Sequence, residues 1–169
     1  MKRLYLLRST RHRETNSSLA DYHRPITRRG EIAAIAMGKT LQKNSYIPDL
    51  VICAAVTRTR QTLANIWPYL HNAGAKPPGL VYDYRIHLMR GDAMLQRLRE
   101  VEAQVDSLLM VGISPGISDL ARLLNNRNAD TPDPFAQDLP LGGLAAFDCN
   151  FDTWVAATPA CGTLINILN

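Results

Sequence analysis

Leu4, Tyr5, Leu6 and Leu7 form an uninterrupted apolar run that begins almost at Met1 and stops at Arg8, Ser9 and Thr10. A half-exposed strand alternates apolar with polar side chains, so a continuous run suits a central strand covered on both faces. A chain that opens this way must then supply helices for both sides of a sheet. Arg8 falls where the strand would emerge. Open α/β sheets bind ligands just beyond the carboxyl ends of their strands, and a cation at that edge is placed to meet an anion.

The remainder of the chain supplies the covering helices. Thr27 is an N-cap for a helix that carries Ile32, Ile35, Ala36 and Leu41 at three- and four-residue spacing and ends near Asn44. Arg24-Pro25 marks extended chain before it, after a polar, irregular stretch from Asn16 to Tyr22. Asp49 to Cys53 reads as a second strand breaking into Ala54 to Arg58, another strand edge with an arginine, and Arg58 to Leu70 as a helix. The stretch from Gly74 to Gly79 is a loop and Leu80 to Tyr84 a third strand. Ala93 to Val105 reads as an amphipathic helix, Ser107 to Gly112 as a buried strand and Ile117 to Leu124 as the helix after it. The segment from Asn125 to Leu139 is polar, with Pro132 and Pro134, and is expected on the surface. Leu144 to Asp148 and Trp154 to Ala157 are expected as closing strands around a turn at Cys149 to Asp152. Alternating strands and helices imply one three-layer α/β/α domain over residues 1–169, with a mostly parallel central sheet and right-handed crossovers.

Composition narrows the function classes. With 46% hydrophobic and 20% charged residues the chain reads as globular, and no apolar run approaches the roughly 20 residues of a membrane-spanning helix. The first apolar run is too short for a signal peptide, so a cytoplasmic location is expected. Cys53, Cys149 and Cys161 are odd in number and widely spaced, which argues against a disulfide framework or a zinc site and for buried thiols. His23, His71 and His87 lack ligand spacing, so neither a metal nor another cofactor is expected. A formal charge of +4 favours anionic ligands in general. Arginines cluster in the first thirty residues, but no helix-turn-helix, RNP aromatic pattern or zinc knuckle goes with them, which weighs against nucleic acid.

Read together, the strand-end motifs resemble those of the histidine phosphatase superfamily, phosphoglycerate mutase-like in fold, and in particular its small SixA-type phosphohistidine phosphatases. Leu6-Leu7-Arg8-Ser9-Thr10 stands where such proteins carry Arg-His-Ala or Arg-His-Gly. The run from Leu19-Ala20-Asp21 through Arg24-Pro25-Ile26 to Arg29-Gly30 is similar to the family's Leu-Ala-Asp, Arg-Pro-Leu and Arg-Gly landmarks. Ala54, Arg58 and Thr62 match Ser-x-x-x-Arg-x-x-x-Thr, and Val111-Gly112-Ile113-Ser114-Pro115-Gly116 matches Val-Gly-His-Asn-Pro-Gly. Leu139-Pro140-Leu141-Gly142-Gly143 and Trp154 resemble the closing segment, so the likeness spans essentially the whole chain.

The resemblance implies a phosphoryl pocket in which Arg8 and Arg58 hold oxygens, but it puts Ser9 at the nucleophile position and Ile113 at that of the second histidine. Imidazole suits this chemistry because its neutral nitrogen attacks phosphorus near pH 7 and the phosphoramidate formed is labile. A serine hydroxyl is a weak nucleophile without an adjacent base, and isoleucine donates no hydrogen bond. Three readings follow. The protein binds phosphate or a phosphorylated partner through Arg8, Arg58 and Ser9, with Ser114 and Thr10 as further hydroxyls, and does not hydrolyse it. Alternatively it is an active phosphatase with a displaced nucleophile, for which His12 is the candidate, or an interaction protein in which the two arginines are only ion-pair partners.

Overall fold

β1 (Lys2–Arg8) sends alternate side chains into two separate cores, Leu4 and Leu6 into one and Tyr5 and Leu7 into the other, all at 2% exposure or less. This is the physical content of its continuous apolar run, since each fully buried side chain of this size contributes about 1.5–3 kcal/mol. The computed structural model describes residues 1–13, 21–128 and 130–169. Leu19, Ala20 and the first part of the stretch from Asn16 to Tyr22 therefore lie outside the described residues.

The other strands are β2 (Leu50–Ala54), β3 (Gly79–Asp83), β4 (Ser107–Gly112), β5 (Leu144–Cys149) and β6 (Gly162–Leu168). They form one sheet in the order β3-β2-β4-β1-β5-β6. The first four in that order run parallel, and β5 and β6 are antiparallel additions at one side. α1 (Arg28–Lys43) and α2 (Thr57–Ile66) cover one face through Ala34, Met37, Leu41, Leu63 and Ile66. α3 (Gly91–Arg99) and α4 (Gly116–Leu124) cover the other through Met94, Leu95, Leu98, Ile117 and Leu120. The three-layer α/β/α architecture with a mostly parallel sheet is the one expected. Thr27 caps α1 as its sequence indicates, its hydroxyl accepting the Gly30 N–H at 3.1 Å.

Three local expectations are corrected and a fourth is refined. Trp154–Ala156 is a single 3₁₀ turn, because the indole is fully buried and donates to the Val105 carbonyl at 2.7 Å; the closing strand is β6 instead. α3 stops at Arg99, because the chain must reverse before entering β4 at Ser107; Val101 and Val105 donate backward to Leu98 and Glu102 within that reversal. α2 gives way at Trp67–Tyr69 to a 3₁₀ turn containing Pro68, which has no N–H to continue an α-helix. The described residues of the excursion from Asn125 to Leu139 run over the surface as expected and are tied to the core by Phe135 and Leu139, both buried, the Phe135 ring lying 5.9 Å from that of Phe147.

Candidate functional site

The carboxyl end of β1 is clamped from both sides. Arg8 stands opposite Gly112 of β4 and donates its N–H to the Gly143 carbonyl at 2.9 Å. Ser9 donates to the Gly112 carbonyl at 2.9 Å and accepts from Gly142 at 3.1 Å. Gly142 has φ +78°, and a Cβ there would stand 3.2 Å from the Thr10 methyl, so glycine lets this turn close on the strand end. The half-buried Arg8 guanidinium donates to the Leu139 carbonyl at 2.5 Å. Burial lowers its pKa and the Arg58 cation lowers it further, against the opposing pull of Asp138. The two guanidinium groups thus sense each other across the site.

Arg58 reaches the same place from the first turn of α2, just beyond β2, where the helix N-terminus itself favours anions. Its side chain is 6% exposed and donates two hydrogen bonds of 2.8 Å to Asp21, one to the backbone carbonyl and one to Oδ2. Asp21 begins a 3₁₀ turn, Asp21–His23, that is pinned to the sheet where Tyr22 Oη donates to the Ala55 carbonyl at 2.5 Å. Arg24 stands 3.6 Å from the other carboxylate oxygen. The Asp21 carboxyl is held below its usual range chiefly by the Arg58 hydrogen bond, which outweighs burial, and then by the charges of Arg58, Arg24 and His12.

Hydroxyl groups fix the loops around these cations. Thr62 Oγ1, one turn along α2 from Arg58, accepts the buried Thr10 N–H at 3.1 Å, lies 3.1 Å from Thr10 Oγ1 and donates to the Arg58 carbonyl at 2.7 Å. Ser114 and Ser118 share a 2.7 Å hydrogen bond, and Ser118 Oγ accepts the Leu139 N–H at 3.0 Å. The residue whose carbonyl holds Arg8 is therefore held by α4.

Of the residues singled out in the sequence, Arg8, Ser9 and Arg58 meet at one edge of the sheet, and Ile113 follows the Gly112 carbonyl that receives Ser9. Ser9 is 2% exposed and Ile113 half-buried against the α3 and α4 core. Thr10 is fully buried with its hydroxyl on Thr62, so it acts as a loop anchor rather than a group facing the pocket. His12 is held by a bridge to Ile26, its charge felt by Asp21. His87 lies edge-on to Tyr22 at 5.5 Å with Nδ1 2.7 Å from the Tyr84 carbonyl, and His23 is exposed. Sequence reasoning missed that Asp21, Arg24 and Asp138 stand among these cations. The Asp21-x-x-Arg24 spacing was the available signal.

No protein-family model matches the sequence. The fold is the one found in solved structures of SixA-type and related phosphatases. Within that class the chain superimposes on a protein assigned as phosphohistidine phosphatase SixA from Nakamurella multipartitia with a TM-score of 0.83 and 24% identity, over 99% of this chain and 95% of that one. The protein histidine phosphatase SixA complexed with tungstate matches with a TM-score of 0.75 and 17% identity, over 98% of this chain and 96% of that one. An uncharacterized protein of Mycobacterium tuberculosis strain H37Rv is 29% identical over 150 residues, 87% of this chain and 89% of that protein. Among the described residues no helix is long and apolar enough to cross a membrane.

Proposed function

We propose that this protein binds phosphate, as the free ion or as the phosphoryl group of a phosphohistidine, between Arg8 and Arg58 and does not hydrolyse it. The observation that carries the reading is the convergence of these two guanidinium groups at one strand edge, with Ser9 and Ile113 where the motif likeness puts two histidines. Guanidinium groups hold phosphoryl oxygens through charge-assisted, often bidentate hydrogen bonds, and this needs no nucleophile. Arg8 is oriented by Leu139 and Arg58 by Asp21, so both are ordered before any ligand arrives. The tungstate held by the SixA structure of the same fold supports an oxyanion as the ligand class.

Hydrolysis asks for more. Losing one preorganised donor to a developing oxyanion costs about 2.7–4 kcal/mol, and here the imidazole nucleophile is missing as well. The test is turnover of a phosphohistidine peptide by the native protein beside the Ser9→His/Ile113→His double variant, with phosphate and tungstate binding measured by calorimetry on both. The expected result is anion binding by both proteins and turnover by the double variant alone. Absence of anion binding by the native protein would refute the proposal.

Native turnover would instead favour the second reading, in which His12 is the nucleophile. Its support is that the His12 charge reaches Asp21 and hence the partner of Arg58. In that case His12→Ala would abolish the activity.

A further inference from the structure

Three cysteines sit far apart in the sequence, yet the fold sorts them sharply. Cys53 lies in the core beneath α1 and α2, whereas Cys149 lies in the opposite core with Cys161 packed against it. The sheet separates Cys53 from the other two. Cys149, the last residue of β5, is paired in register with Gly162, the first residue of β6, so Cys161 stands next to that pair, one residue outside the ladder. Inside a regular ladder that offset would send the two side chains to opposite faces, but Cys161 lies before the strand and packs against the same core as Cys149. A strand spacing of about 4.8 Å and a rise of about 3.4 Å per residue put their Cα atoms about 6 Å apart, inside the range that disulfides span. The two thiols act on each other's titration, Cys149 raised and Cys161 lowered.

The surroundings make the two sulfurs unequal. Cys149 is fully buried, whereas Cys161 is half-buried and so has a path to solvent. Cys161 follows Ala160, whose φ of +56° turns the chain into β6 and whose N–H is held by the Leu123 carbonyl. Arg99 Nε donates to the Ala157 carbonyl at 2.7 Å, which fixes a cation beside the same turn. The Cys149 hydrogen bond brings the Cys161 thiol down to about 6, against the effect of burial, with help from the backbone at Thr158 and Cys161 and from the Arg99 charge. Cys149 is pushed up by the same interaction and by burial, and Cys53 is pushed up to about 12 by burial. Nucleophilic thiolate therefore collects at the accessible member of the pair.

We infer that Cys161 and Cys149 form a redox-reactive dithiol, in which Cys161 is oxidised by a hydroperoxide and Cys149 resolves the product to an intramolecular disulfide. The Cys161 thiolate attacks one peroxide oxygen, the O–O bond breaks, and the leaving hydroxide or alkoxide takes up a proton, leaving a sulfenic acid. The Cys149 sulfur then attacks Cys161 sulfur. The S–O bond breaks, an S–S bond forms, and the Cys149 proton leaves with the hydroxyl as water. Two thiols are oxidised by two electrons while the peroxide is reduced. Oxidation also removes the Cys161 thiolate, one of the causes that raise Cys149, while burial continues to act on it. The bond would staple β6 to β5, its neighbour in the sheet.

The experiment uses the reduced full-length chain and hydrogen peroxide, followed by denaturation, capping with iodoacetamide and mass spectrometry without reductant. The expected product has lost two hydrogens, carries one cap, on Cys53, and yields a peptide cross-linked between Cys149 and Cys161. Its formation should outpace oxidation of Cys53 by at least about tenfold. In Cys149→Ala the reaction should stop at a Cys161 sulfenic acid that dimedone traps, and in Cys161→Ala Cys149 should remain cappable. Should the core substitution prevent folding, the native cross-link decides alone. Three capped thiols under conditions that oxidise free cysteine, parallel loss of Cys53, or disulfides only between chains would each overturn the inference.

Discussion

Arg58, 6% exposed, directs two N–H groups at a single residue, Asp21, whose carboxylate is 60% exposed and whose backbone carbonyl takes the second bond. A buried guanidinium needs a counter-charge, and Asp21 supplies one from a position that solvent, and therefore a competing anion, can reach. The carboxylate occupies donors that a phosphoryl group would use, so anion binding and the ion pair compete.

Asp21→Ala is accordingly expected to tighten phosphate and tungstate binding. With one partner largely solvated, the pair is worth no more than about 1 kcal/mol, which corresponds to about a fivefold gain in affinity. Titration calorimetry of the variant beside the native protein checks this. Unchanged or weaker binding would mean that Asp21 helps to shape the site rather than occupying it.

Arg58→Ala is expected to weaken anion binding by about a hundredfold, since a charge-assisted hydrogen bond contributes about 1.5–3 kcal/mol and the fork supplies more than one donor. Arg58→Lys should fall between the two, because an ammonium keeps the charge but not the planar pair of donors. If Arg58→Lys bound as tightly as the native protein, the fork geometry would be irrelevant and only net charge would matter.

Much of this arrangement was legible in the sequence and part of it was not. The run from Leu4 to Leu7 reads as a two-sided strand because burial on both faces removes the polar alternation, and Arg8 at its end is legible for the same reason. Thr27 and the α1 spacing are equally local signals. The Arg58–Asp21 pair spans 37 residues and depends on a turn held by a tyrosine hydroxyl, which no periodicity encodes. β6 was missed because, pairing only with β5 at the edge, it keeps several side chains part-exposed, while the apolar Trp154-Val155-Ala156 looked more strand-like. Once β6 is misplaced, the meeting of Cys149 with Cys161 is invisible. The expectation of three buried thiols accordingly fails at Cys161 alone.

Asp83, at the end of β3, gives the fold a defined acid response. It is 7% exposed, and although burial alone would raise its pKa, hydrogen bonds from the Arg85 and Arg97 side chains and the Arg85 N–H, with the Arg97 charge, hold it well below the usual carboxylate range. A carboxyl depressed in the folded state stabilises fully above its unfolded pKa of about 3.9, and that contribution disappears as the pH falls from there toward the folded value. Urea midpoints of the native protein should therefore drop as the pH is lowered below about 4, and Asp83→Asn should flatten that part of the dependence. At neutral pH the same variant leaves Arg97, 8% exposed, with Glu100 at 3.7 Å as its remaining counter-charge among the described residues, and a loss of about 3 kcal/mol is expected.

Thr62→Val tests whether the strand-end loop is held by one hydroxyl. The substitution keeps the shape but leaves the Thr10 N–H, buried with its residue at 0% exposure, without the acceptor at 3.1 Å. An unpaired buried donor costs about 1–3 kcal/mol, which for a chain of this size lowers the thermal midpoint by roughly 2–10 °C. Thr40→Val is the control: its hydroxyl also bonds a carbonyl one turn back, that of Ala36 at 2.9 Å, but on the solvent side of α1, and a change within about 0.5 kcal/mol is expected. Because Thr62 also donates to the Arg58 carbonyl, loosening it uncouples the β1 end from the first turn of α2. Anion affinity should fall together with stability in Thr62→Val, and if the midpoint fell while affinity held, Arg8 and Arg58 would be positioned independently of Thr10.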